Sequence, residues 1–202
     1  MSAEEKERIR LQTQKKVRRL IRERITGHEH WVLIGGPPCQ AYSLAGRARM
    51  TGVVQKKDET PEQYEERRKD VVAAFEGDHR HLLYREYLSI IADHWPSIFV
   101  MENVRGLLSA RLDGQLVFPM IRKDLEDPNQ ALGEKRKGSK YRVFSLVVPE
   151  LIPGAGFERE DFLIRAEQYG VPQQRHRVIL LGIRDDLGIS RIPVLQKQKA
   201  PV

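Results

Sequence analysis

Three short apolar runs, Trp31 to Gly36 (WVLIGG), Ile98 to Met101 (IFVM) and Arg177 to Ile183 (RVILLGI), each border a polar segment, and this limits the fold more than any other feature. A run of this length halted by Gly, Pro or charge reads as a buried strand, too short for a helix. Tyr141 to Val148 (YRVFSLVV), rich in β-branched and aromatic residues, reads as a fourth. Helical spacing fills the intervals. Leu82, Leu83, Tyr87, Leu88, Ile91 and Trp95 recur at three-and-four spacing, which predicts a helix over Leu82 to Asp93 ended near Pro96. Leu116 to Leu125 and Asp161 to Tyr169 predict two more, and strands alternating with helices predict an α/β, parallel-type sheet with helices on both faces.

Before the first strand, residues 1–26 carry nine Lys or Arg against four Glu, with no Gly or Pro. Ile9, Val17, Leu20, Ile21 and Ile25 fall mostly on one face, so the segment reads as an amphipathic charged helix. Its charges are either simply solvated or in contact with nucleic-acid phosphate. The whole chain of 202 residues has a formal charge of +7, which favours a polyanionic partner. No apolar run nears the roughly 20 residues of a membrane helix, so no membrane partner is expected. MSAEEKERIR lacks the apolar stretch of a leader, and a lone cysteine, Cys39, fits a reducing compartment, so the expected location is cytoplasmic. The domain reading is a helix at 1–26, a central catalytic part at 27–185 and a tail at 186–202. Gly46 to Asp78 is too long for an idle connection and is expected to be a flexible loop with a helix beginning near Pro61.

Ligands of an open α/β sheet bind beyond the carboxyl ends of its strands. Three segments meet that edge: Gly36-Pro37-Pro38-Cys39-Gln40, Glu102-Asn103-Val104, and Gln173-Gln174-Arg175-His176-Arg177. Each alone has a bland reading: a small buried thiol, a solvated acid, a surface arginine pair. Together they offer a thiol on a stiff loop, a carboxyl and two guanidiniums, a plausible set for covalent catalysis. A cysteine hydrolase would use the same thiol with a histidine such as His176, but no oxyanion-hole signature accompanies it. The His28-Glu29-His30 and His79-Arg80-His81 pairs lack partner cysteines, so no metal is expected.

The stretch Gly36-Pro37-Pro38-Cys39-Gln40-Ala41-Tyr42-Ser43 resembles the cysteine motif of the cytosine-5 DNA methyltransferases. Glu102-Asn103-Val104 resembles their next functional motif, and Gln173-x-Arg175-x-Arg177 after Tyr169-Gly170-Val171-Pro172 resembles a third, in the family's order. The resemblance runs from about Trp31 to Asp185 and implies a partial Rossmann-like methyltransferase sheet. It implies that Cys39 adds to carbon 6 of a flipped-out cytosine, that Glu102 meets N3 and the exocyclic amine, and that Arg177 meets O2. Arg175 and Gln173 would brace the site and the nearby backbone. Ser43 and Arg47 would touch DNA, and Pro38 and Gln40 would border the cofactor, S-adenosyl-L-methionine. The family's glycine-rich cofactor turn has no counterpart before Trp31, nor has its target-recognition domain after Asp185. The chain thus resembles the middle of a methyltransferase, which implies a fragment or one chain of a split enzyme, with a companion chain carrying the absent motifs. A related branch acts on transfer RNA, and a non-catalytic DNA-binding remnant would need only the positive charge.

Overall fold

The computed structural model describes residues 2–38, 60, 62–63, 79–112, 115–133, 138–150 and 156–198. Its helices are α1 (Ala3–Ile25), α2 (His79–His94), α3 (Val117–Glu126) and the single turn α4 (Pro128–Ala131). Its strands are β1 (Val32–Gly35), β2 (Ile98–Val104), β3 (Arg111–Leu112), β4 (Gln115–Leu116), β5 (Tyr141–Phe144), β6 (Leu163–Arg165) and β7 (His176–Arg184). Residues 62 and 63 are helical, where a helix was expected near Pro61; the rest of that segment lies outside the described residues.

The main sheet has the order β1-β2-β7-β5, with β6 pairing the first part of β7 beside β5. Only β1 and β2 run parallel among these pairs; β7 is antiparallel to β2, β5 and β6. The α/β class is as expected, while the parallel-type sheet narrows to one pair. A parallel neighbour needs a crossover connection, which α2 provides between β1 and β2, and β7 instead returns beside β2 with reversed direction. β3 and β4 form a separate two-residue hairpin that the sequence did not announce.

Pleating assigns the faces. Phe99 and Met101 on β2 pair with Gly182 and Leu180 on β7, so all four share one side with Leu33 and Val143. There Phe99, Met101 and Leu180 are buried against Tyr87, Leu88 and Ile91 of α2 and Phe118, Ile121 and Leu125 of α3. A Cβ at Gly182 would fall 2.0 Å from the Phe99 ring, so only glycine lets that ring lie flat on the strand. Among the described residues α2 and α3 enter the same core on one face of the sheet, and the Tyr84 hydroxyl on α2 reaches the Ile121 carbonyl on α3 at 3.4 Å. The other side of β1 carries Val32 and Ile34, the latter 75% exposed.

α1 stacks behind α2. Ser2 caps it by accepting from the Glu5 N–H, and Gln14 meets Glu86 while Arg18 pairs with Asp93 at 2.8 Å. α2 ends because Trp95 turns left-handed at φ 45° and Pro96 follows, which no helix continues through. Arg184 Nη1 ties that turn to β7 by donating to the Trp95 carbonyl at 2.6 Å.

Two expected elements take another form. Tyr141 to Val148 is strand only as far as Phe144, because buried Ser145 turns the chain by accepting from the Val147 and Val148 N–H groups at 2.9 and 3.1 Å. The helix expected over Asp161 to Tyr169 is instead two 3-10 turns around β6, since Leu163 to Arg165 find open ladder positions on β7. Among the described residues no helix is long and apolar enough to cross a membrane.

Candidate active site at the carboxyl edge of β1 and β2

β2 was expected to stop at Met101 and runs on to Val104, because β7 pairs it residue for residue until Val104 lies opposite Arg177. This extension places the polar motif on strand geometry. Alternation sends Asn103 to the core side, 5% exposed, and Glu102 to the other, where Arg177 also points. Arg177 Nε stands 2.7 Å from Glu102 Oε1, an ion pair across the two strands. With side chains 24% and 40% exposed, the pair stays reachable by a ligand. Arg177 Nη1 also donates to the His176 carbonyl at 2.8 Å, which fixes the guanidinium over the strand end.

The loop after β1 is held to the same place. Asn103 Nδ2 donates to the Pro37 carbonyl at 2.9 Å, and Asn103 Oδ1 accepts from the Val104 N–H at 3.0 Å. A buried carbonyl on a proline-rich loop finds its partner in this one amide. Gly36 lies against Glu102: a Cβ there would sit 3.1 Å from Glu102 Oε2 and 3.5 Å from the Glu102 carbonyl. The residue two before Cys39 is therefore bonded to the residue after Glu102.

Glu102, Arg177 and the loop at Pro37 and Pro38 come together as the sequence suggested. Arg175 and Gln173 lie on the neighbouring surface, exposed, on the turn that leaves left-handed Gly170 and returns through Gln173 N–H to the Val171 carbonyl at 2.7 Å. Cys39, Gln40, Ser43 and Arg47 lie outside the described residues. Asn103 carried no role in the sequence reading, and His176 only that of the base in the alternative hydrolase. Asn103 is the clamp just described, and its signal was an amide directly after the strand-end acid. His176 Nε2 meets Glu167 Oε1 at 2.8 Å, and the bond to Glu167's own backbone N–H, together with this ring, holds the Glu167 carboxyl below the usual range.

The residues present do not by themselves fit S-adenosylmethionine. β1 has a neighbour on one side only among the described residues, so the loop at 36–38 lacks a second wall to enclose a nucleoside. The chain also offers no glycine-rich strand-turn-helix. A mostly apolar cavity of about 380 Å³ lies elsewhere, between α1 and α2, lined by Val17, Leu83 and Ile90 among others.

Residues 135–201 match the model of the C-5 cytosine-specific DNA methylases. The type II methyltransferase M.Bpa9945I of Bacillus paralicheniformis is 32% identical over 156 residues, 77% of this chain and 26% of that protein. The type II methyltransferase M.FnuDI of Fusobacterium nucleatum is 30% identical over 171 residues, 83% of this chain and 34% of that protein. The DNA (cytosine-5-)-methyltransferase M.ApeKI of Aeropyrum pernix is 25% identical over 185 residues, 88% and 32% respectively. The chain thus spans between a quarter and about a third of the length of these relatives. With three motifs in order, two of them joined at one sheet edge, and these matches, the chain belongs to the cytosine-5 DNA methyltransferase family.

Proposed function

We propose that this chain carries the cytosine-activating part of a DNA (cytosine-5-)-methyltransferase. The observation that supports it most is the joining of two motif loops at one edge: the Asn103 bond to Pro37 beside the Glu102 and Arg177 ion pair. Carbon 5 of cytosine is a weak nucleophile. A Cys39 thiolate forms a bond to carbon 6, the carbon 5–carbon 6 π pair moves onto carbon 5, and Glu102, once it has taken up a proton from solvent, passes that proton to N3 to meet the charge that builds on the ring. Arg177 holds the Glu102 carboxyl in register and presents guanidinium donors toward the ring oxygen. Arg175 and Gln173, on the exposed turn, and Ser43 and Arg47, beyond Cys39, contact the DNA backbone around the flipped base.

The methyl donor is S-adenosylmethionine, and its grip is assigned to the part of the relatives that this chain does not match, with Pro38 and Gln40 bordering it. A companion polypeptide carrying that part would add a strand to β1, whose edge and exposed Val32 and Ile34 suit parallel pairing. A DNA substrate and a reduced thiol both fit the cytoplasm.

The test needs no donor. A thiolate at carbon 6 makes carbon 5 basic, so solvent protons replace the hydrogen there. Duplex DNA tritiated at cytosine carbon 5 is expected to release label with the wild-type chain, about tenfold or more slowly with Glu102→Gln, and not with Cys39→Ala. Release by the wild type no faster than by Cys39→Ala overturns the catalytic reading and leaves DNA binding alone.

A further inference from the structure

Between Arg8 and Arg22, α1 places seven Lys or Arg and no Asp or Glu. Packing uses two of them: Arg18 pairs with Asp93 at 2.8 Å, and Arg10 lines the seam with α2. Arg8, Lys15, Lys16, Arg19 and Arg22 are all exposed. Arg8, Lys15, Arg19 and Arg22 recur at steps of seven, four and three, which at 3.6 residues per turn confines them to about 60° of the helix circumference. The half-buried stripe of Arg10, Gln14, Ile21 and Ile25 is centred about 120° away round the helix.

This stripe works against the helix that carries it. Lys15 and Arg19 are like charges four residues apart and Arg19 and Arg22 three apart, spacings at which repulsion weakens a helix. Arg22 gains from the helix C-terminus, but Arg8 lies toward the positive N-terminal end. The exposed pair of Arg19 with Glu23, at 3.6 Å, offsets little. A polyanion would turn that repulsion into binding. We propose that the stripe is a binding site for the sugar-phosphate backbone of duplex DNA, separate from the Glu102 and Arg177 edge. It runs about 21 Å at 1.5 Å per residue, and duplex DNA presents a charge about every 1.7 Å of axis. α1 and α2 run in the same direction, since Gln14 meets Glu86 and Arg18 meets Asp93. α2 descends toward the start of β2, so the Arg8 end of the stripe lies toward the sheet edge that carries the candidate site.

The proposed substrate guides only the choice of polyanion, and the probe leaves out the target base. Fluorescence anisotropy with a labelled duplex of adenine and thymine alone, which offers no cytosine, is read from 50 to 200 mM salt. Four phosphate contacts give log K a slope of about −3.6 against log salt. Replacing Arg8, Lys15, Arg19 and Arg22 together with Gln, a good helix former, is expected to weaken binding at least tenfold and to flatten most of that slope. Lys123→Gln with Lys197→Gln, an exposed charge loss elsewhere, is expected to change binding less than twofold. Should circular dichroism show α1 lost in the fourfold variant, Lys15→Glu alone leaves the packing seam intact and is expected to weaken binding severalfold. Binding by the folded variants within twofold of wild type, or a clear preference for duplex RNA of the same length, overturns the proposal. Tritium release from cytosine reports on the catalytic reading independently, so either can fail without the other.

Discussion

Asn103 illustrates how one buried amide organises two loops. Its side chain satisfies the Pro37 carbonyl and the Val104 N–H at once, from a buried position on the core side of β2. Asn103→Ala would leave that carbonyl without its partner, at about 1–3 kcal/mol. Urea unfolding is expected to show this loss, and tritium release is expected to fall with it although Glu102 and Cys39 are untouched. Asn103→Asp should do no better, because a carboxylate has no proton to donate to Pro37. Glu102 and Arg177 were legible in the sequence through the order of their motifs, since each alone reads as a solvated acid or a surface arginine. Asn103 was quoted in the motif but given no part, since a hydrogen bond to a residue 66 positions earlier is a fact of tertiary structure.

Elements answer to their neighbours as much as to their composition. α2 appeared in the periodicity of its apolar residues, and its end in Pro96. β6 did not: Asp161 to Tyr169 has helical composition, yet three of its residues pair with β7 because the first part of that strand has an edge left open by β5. The end of α2 also carries a pH response. Burial, and the nearby Arg22 and Arg18 of α1, hold His94 below its ordinary value of 6.5, with Asp93 opposing. The folded state therefore binds this proton less readily than the unfolded chain does. Stability from His94 is present above about pH 6.5 and lost as pH falls through the lowered folded value. Thermal unfolding between pH 7.5 and 5 is expected to show a decline that His94→Gln makes shallower; an identical decline in the variant would remove His94 as its source.

At the scale of the whole molecule, the described helices cover one face of the sheet, and β1 forms one of its edges. α2 and α3 bury Phe99, Met101 and Leu180, while β1 keeps Val32 at 52% and Ile34 at 75% exposure with a single strand neighbour among the described residues. Such an edge pairs with whatever strand is offered. The purified chain is expected to self-associate in sedimentation velocity as concentration rises, and Val32→Lys with Ile34→Lys to return it to monomer. Because both side chains are exposed, the melting temperature should change by no more than a degree or two. Unchanged association in that variant would place the contact elsewhere.

By itself the sequence determined the strand runs, the two long helices, the cationic first segment and the chemical inventory of the site. These are local properties: period, composition, and a polar residue where an apolar run stops. Tertiary structure alone decided that β7 runs against β2, that β2 reaches Val104, and that both main helices share one face. The physical reason is common to all three. Strand direction and pairing length are set by which backbone groups meet across the sheet, and a chain read in one dimension holds no record of its partners.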